Sequence, residues 1–200
     1  EIYWYYINEM LKGEVYMAGV SGNRRTLYTK KVIKESLIEL LKTREIHQVT
    51  VTDICKKADI NRGTFYTHYK DAFDLFQSME DELFHQILKY IKEIPIEEYN
   101  SLLLLKVLEL IKENKDLCKV LFCNQRDSSI LNRILNIADQ IDVMELFNNN
   151  NLINKTIANY YMRYSVGGCI SIIETWLEND LPESPEELVQ IINGINQMSS

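Results

Sequence analysis

Proline occurs only three times in 200 residues, at Pro95, Pro182 and Pro185, and glycine only seven times. So few breakers leave long stretches free to run as helix, and the β-branched residues, chiefly Ile, recur at helical steps instead of alternating. The expected fold class is all-α. Long apolar runs are missing too: none approaches the roughly 18 residues a membrane span needs, and Glu1 opens without the basic lead-in of a secretory signal. A cytoplasmic protein with no membrane partner is the expectation.

Cysteine and histidine are scarce. Cys55, Cys118, Cys123 and Cys169 show no C-x-x-C spacing, and none of His47, His68 and His85 is placed to complete a zinc site. The thiols are expected to be reduced and mostly buried. Cys118 and Cys123, little more than one helical turn apart, read either as small core residues or as a redox pair. G-x-S-x-G and P-loop signatures are absent as well, and no histidine has an obvious nucleophile beside it. An enzyme, a cofactor and a metal are therefore not expected. At 46% apolar and 26% charged residues, the chain can bury a core without metal or disulfide help.

What is present is uneven. Residues 24–70 hold 11 Lys and Arg against 5 Asp and Glu, a net +6. Residues 71–200 hold 10 against 21, a net −11, and residues 1–23 hold 1 against 3, a net −2. The overall −7 thus hides a small basic head on an acidic body, the distribution of a polyanion binder unless it is chance clustering on a solvated face. The expected organisation is an N-terminal extension over 1–23, a head over 24–70 and a body over 71–200. The lead packs Tyr3, Trp4, Tyr5, Tyr6 and Tyr16 into an acidic stretch, and Met17-Ala18-Gly19 reads like a fresh start, so the native chain is expected to begin at Met17.

Within the head, Val32, Ile33, Leu37, Leu40 and Leu41 recur at three- and four-residue steps, predicting an amphipathic helix from Tyr28 to about Thr43. Thr50 and Asp53 form a T-x-x-D capping box for a second helix over Val51 to about Ala58. Asp59-Ile60-Asn61 breaks the pattern, and Asn61 can cap a third helix from Arg62 to about Tyr69, completing a helix-turn-helix. That third helix is short and polar nearly all round, with Arg62, Thr64, Tyr66, Thr67, His68, Tyr69 and Lys70 about the apolar Phe65. Burial alone stabilises such a helix little. Its hydroxyls and cations are donors that duplex DNA can use, and Gly63 permits close approach of another backbone.

The stretch TVTDICKKADINRGTFYTHY over 50–69, with the preceding helix and the following D-x-x-D-L, resembles the DNA-binding domain of the TetR family of bacterial transcriptional regulators, of AcrR type. The matching positions are Thr50, Ile54, Ala58, Arg62-Gly63-Thr64-Phe65-Tyr66 and His68-Tyr69. The resemblance implies an N-terminal three-helix DNA-binding domain, its third helix in the major groove, and a C-terminal helical bundle for ligand binding and dimerisation. It makes Thr50 and Tyr69 phosphate contacts, Tyr66 a contact to phosphate or base edge, and Arg62, Thr64 and Thr67 the groove readers. Thr52, Gly63, His68 and Lys70 complete the candidate DNA-binding set, His68 having helix packing as its alternative. Ala72 stands where many members carry Lys, so Lys70 substitutes for that phosphate contact or the contact is absent.

In the body, helices are predicted over 71–93, 97–114, 115–122, 129–147, 153–177 and 184–198. Ser184-Pro185-Glu186-Glu187 is another capping box, with proline at the first helical position. Gly167-Gly168 in mid-helix costs about 1 kcal/mol per glycine relative to alanine, which close helix approach would offset. With Ile170, Ile173 and the tyrosines around them, these glycines are the expected dimer interface, and the run from Tyr160 to Leu177 followed by S-x-E-E-L resembles the C-terminal domain of a Gram-positive branch of the same family. The family resemblance also implies an effector pocket, for which Tyr90, Phe122, Asn124, Arg126, Tyr160, Tyr164 and Trp176 are the candidates, each with ordinary core or dimer surface as its alternative. The expectation is a ligand-responsive repressor that binds a palindromic double-stranded operator as a homodimer. The alternative is a helical coactivator or protein-interaction module that keeps the fold without touching an operator.

Overall fold

The computed structural model describes residues 22–124, 129–138 and 155–198, and these contain helices and no strand. The predicted extension falls almost wholly outside them, as does the asparagine-rich stretch 148–151.

Helix α1 spans Gly22–Leu41 and buries Ile33, Leu37 and Leu41 at steps of four, with Ser36 beside them. A single tight turn at Ile46–Gln48 leads to α2, Val51–Ala58. The predicted capping box is formed: Thr50 Oγ1 accepts from the Asp53 amide (3.2 Å), and the Asp53 carboxylate accepts from the Thr50 amide (3.1 Å). Helix α2 ends at Asp59, which adopts the left-handed conformation (φ 52°) that a side chain makes costly. Helix α3 covers Arg62–Tyr66 and is shorter than predicted. Its last turn tightens because the His68 amide donates to Phe65 O at 2.9 Å and the Thr67 hydroxyl to Thr64 O at 2.6 Å, and Asp71 and Asp74 then start the next helix.

Helix α4, Ala72–Glu93, runs through both parts of the molecule. Leu75, Phe76 and Met79 and, further along, Leu83 and Ile87 join one apolar cluster that reaches from Ile33 in α1 to Ile192 near the end of the chain, so the core has no break at residue 70. The helix predicted over 97–114 is interrupted: the Glu98 amide donates to Pro95 O (3.0 Å), a wide turn over Tyr99–Leu103 follows, and α5 is confined to Leu104–Glu113. Tyr99 Oη–H fastens that wide turn to α4 through Ile91 O at 2.8 Å. Then come α6 (Lys115–Lys119, widening over Val120–Asn124), α7 (Ile130–Ala138), α8 (Lys155–Glu178) and α9 (Pro185–Met198).

Polar anchors dock α7 on α4. The buried Glu80 carboxylate accepts from the Ser129 amide (2.8 Å) and hydroxyl (3.2 Å), while Arg133 pairs with Asp81 at 2.6 Å and lies over the Phe84 ring. Between α8 and α9, Trp176 Nε1–H donates to Glu183 O at 3.1 Å, and the Ser184–Glu187 capping box forms as predicted. Burial raises the thiols of all four cysteines, that of Cys118 to about 12. The protonated Cys118 and Cys123 lack the thiolate that a redox pair needs, so the small-core reading fits them better.

Candidate nucleic-acid interface and internal cavity

Helix α3 is held from beneath and capped from one end. Phe65 is fully buried, with Tyr69 packed against it at 5.8 Å between ring centroids. Asn61 Oδ1 accepts from the Thr64 amide (2.8 Å) and hydroxyl (3.1 Å). A Cβ on Gly63 would come within 3.2 Å of that same Asn61 oxygen, so glycine here keeps the cap undisturbed as well as the surface low.

On the outward face Tyr66 is 55% exposed, and Arg62, Gly63, Thr67 and Lys70 are exposed with it. The Arg62 guanidinium donates to the hydroxyl of Thr52 on α2, which fixes the two helices of the motif in register and brings two candidate contacts together. Exposed Lys56 and Lys57 extend the positive surface along the last turn of α2, where the helix dipole also favours cations. The Thr50 and Thr64 hydroxyls are engaged in caps, which orients them without removing their lone pairs.

Two candidates belong elsewhere than expected. Tyr69 is only 7% exposed, its ring packed beneath α3 against Phe65. His68 is half-buried, and burial together with nearby Lys30 lowers its pKa, so the ring is chiefly neutral at pH 7 and is not a fixed phosphate-binding cation.

The head is strapped to the body by ion pairs. Lys34 on α1 pairs with Glu82 on α4, and Lys42 reaches Asp116 on α6 at 3.4 Å. A surface cleft of about 470 Å³ lies along this junction, with charged walls that include Lys34, Glu82 and Asp116.

The body holds a partly open cavity of about 320 Å³ lined by residues of α4, α5, α7, α8 and α9. Of the predicted pocket residues whose side chains are among the described ones, only Phe122 lines it. Tyr90 packs on the core outside the lining, and Trp176, 2% exposed, lies near the end of α8 with its indole bonded to the α8–α9 turn. Tyr160 and Tyr164 point to solvent, 73% and 66% exposed. Arg126 and the side chain of Asn124 lie outside the described residues. The interface assignment divides as well. Gly168 is exposed, and a Cβ on either Gly167 or Gly168 would meet nothing within 4 Å, whereas Ile170 and Ile173 line the cavity.

Helix α8 therefore carries two rows at steps of four. Tyr160, Tyr164 and Gly168 form an outer row, and Tyr161, Ser165, Cys169 and Ile173 an inner one that walls the cavity. Ser165 escaped the sequence reading although its signal was present, a lone hydroxyl in an otherwise apolar row. Asn193 and Asn196 on α9 escaped too, because only the packing of α9 against α8 brings them to the same cavity.

Among the described residues no cluster of three or more His, Cys, Asp or Glu could hold a metal, and no helix is long and apolar enough to cross a membrane.

Comparison with known proteins agrees with this geometry. Residues 34–79 match the family described as "Bacterial regulatory proteins, tetR family", and residues 98–197 match "Transcriptional regulator C-terminal region". The uncharacterized HTH-type transcriptional regulator YxbF of Bacillus subtilis (strain 168) is 35% identical over 51 residues, 26% of this chain and 13% of its own length. The dhaKLM operon transcriptional activator DhaS of Lactococcus lactis subsp. lactis (strain IL1403) is 26% identical over 65 residues, 32% of this chain and 35% of its own length. Both matches thus span a minor part of those relatives. The fatty acid degradation regulator FadR from Bacillus halodurans shares the fold, with a TM-score of 0.64 at 15% identity over 84% of this chain and 93% of that one. The paired matches to both halves, the helix-turn-helix with its outward α3, and the helical body behind it place this chain in the TetR family of DNA-binding transcriptional regulators.

Proposed function

We propose that this protein is a cytoplasmic, ligand-responsive repressor that binds a roughly palindromic operator as a homodimer. The observation that carries the reading is the exposed polar face of α3, held outward by the Asn61 cap and the buried Phe65 in a head of net positive charge. Arg62, Thr64, Tyr66 and Thr67 are the residues for base edges and adjacent phosphates. Thr50, Thr52, Gly63, Lys70 and the α2 lysines serve position along the backbone. His68 supports the helix from its flank.

Tyr160 and Tyr164 on α8 and Ile191 and Ile195 on α9 are large apolar side chains exposed in the single chain, and extensive exposed apolar surface marks an interaction site. Two-fold pairing of those side chains, with Gly168 allowing close approach, presents two α3 helices to successive major grooves and makes the operator palindromic. The internal cavity is the effector site. An occupant that shifts α4 or α6 shifts α1 through the Lys34–Glu82 and Lys42–Asp116 pairs, and with it the spacing of the two heads.

Titrating the protein against DNA upstream of its own gene at ~50 and ~200 mM salt tests the reading: specific binding that weakens steeply with salt is expected. Absence of binding at the lower salt supports the coactivator alternative instead. Deleting the gene should raise transcription from the bound promoter, and a fall would make the protein an activator.

A further inference from the structure

Arg62 and Thr52 meet across the turn of the helix-turn-helix, and the pairing is chemically uneven. Arg62 is the first residue of α3, and its guanidinium donates through Nη2 to Thr52 Oγ1 on α2. Elsewhere in the head Lys31, Lys34, Lys42 and Arg44 each reach a carboxylate. Among the described residues Arg62 forms no ion pair and rests instead on a neutral hydroxyl, so its charge and its remaining N–H groups stay available on an exposed surface. Thr52 is a steady support. It stands in the first turn of α2, whose backbone the Thr50–Asp53 capping box fixes, and a β-branched side chain in a helix has few rotamers. A long arginine side chain that would otherwise lose much rotamer freedom on binding is thereby held in one direction beforehand.

We infer that Thr52 is a positioning residue that aims the Arg62 guanidinium at a guanine in each operator half-site, an inference that rests on reading α3 as the helix that enters the major groove. The base follows from donor geometry. With one Nη2 hydrogen engaged by Thr52, the guanidinium still presents a parallel pair of N–H donors and no acceptor. In the major groove guanine alone offers two acceptors on one base, O6 and N7, whereas adenine sets a donor beside N7. The position follows from the helix. Residues at the start of a recognition helix approach the base edges, and Gly63 next to Arg62 adds no side chain to hold the backbone away. The hydroxyl proton of Thr52 suits a flanking phosphate, so that one side chain ties the aim of the guanidinium to the register of the DNA backbone.

The test selects tight-binding duplexes from a randomised pool with the purified full chain and then measures base preference in variants. Each selected half-site is expected to hold a guanine whose replacement by adenine weakens wild-type binding at least about tenfold and Arg62→Ala binding by less than about twofold. Thr52→Val, which keeps the shape and removes the acceptor, should cut the preference to about threefold or less, whereas Thr52→Ser, which keeps the hydroxyl, should retain it. Arg62→Lys, a point charge in place of the planar fork, should lose the preference as well. Melting curves establish that each variant is folded, with Thr52→Ala replacing Thr52→Val if the valine disturbs α2. A Thr52 that only contacts phosphate or props α2 against α3 would weaken every duplex equally on substitution and leave the preference whole. That result, or selected sites without an Arg62-dependent guanine, overturns the inference while the operator reading stands. A pool that yields no preferred sequence removes the operator reading and the inference with it.

Discussion

The head of α1–α3 and the body of α4–α9 dispose of their apolar residues in opposite ways. In the head, Ile33, Leu37, Ile54 and Phe65 are fully buried at one end of the shared apolar cluster, and the surface carries a net positive charge, with Leu27, Tyr28 and Tyr66 exposed on it. In the body the apolar supply exceeds what one chain closes over, leaving a cavity within and a tyrosine and isoleucine stripe without. A filled core under a charged surface needs only a polyanion to act on. The body leaves a cavity and exposed apolar side chains, the features on which the proposed ligand site and dimer seam rest.

The largest effect should break the head. Phe65→Ala removes the buried anchor of α3 and is expected to cost about 3–5 kcal/mol in urea unfolding, with operator binding lost. Ile170→Val on the cavity wall should lie at the low end of its class, near 0.5 kcal/mol, because the space it adds is already void. Equal costs at the two sites would erase the contrast between a closed and an open core.

Gly168→Leu sharpens the contrast from outside. A Cβ there meets nothing in the single chain, so helicity and monomer stability should hold while the dimer weakens, seen as a lower sedimentation coefficient. A variant that stays fully dimeric places the seam elsewhere. Arg62→Ala and Tyr66→Ala should each cost roughly 1–3 kcal/mol of operator affinity with dimerisation unchanged, and unaltered affinity in both would remove α3 as the reader.

His68 supplies a pH test confined to the head. Its folded pKa lies below the ordinary 6.5, so the unfolded chain binds more protons, and stability falls as the pH drops through 6.5 toward the folded value. In urea midpoints measured from ~pH 5 to ~8, His68→Gln should remove that part of the slope, and an identical slope would assign it to other groups. Comparably small, Asp59→Gly should raise stability by about 0.5–1 kcal/mol, relieving the left-handed conformation at the end of α2. A loss instead would mean that the Asp59 side chain contributes a contact outweighing the strain.

Local signals carried the head far. Capping residues Thr50, Asn61, Asp71 and Ser184 act within three or four residues of themselves, so the starts of α2, α3, α4 and α9 are legible in the sequence. The end of α3 is not, because it depends on Tyr69 turning into the core beneath Phe65. The interruption at Tyr99–Leu103 also escapes periodicity, since the turn is fastened by a bond from Tyr99 back to α4.

The sequence by itself determined the all-α class, the basic head and the polar composition of α3, since propensity, charge and capping are properties of short stretches. Which side of α8 faces inward was left to the tertiary structure. Tyr160 and Tyr161 are neighbours of one chemical type, and the packing of α4, α5, α7 and α9 around one side brings Tyr161, still 48% exposed, with Ser165 and Ile173 into the cavity lining and leaves Tyr160 and Tyr164 to solvent. An aromatic run is apolar on both flanks of its helix, so only the neighbours that arrive on one flank can tell ligand wall from open face.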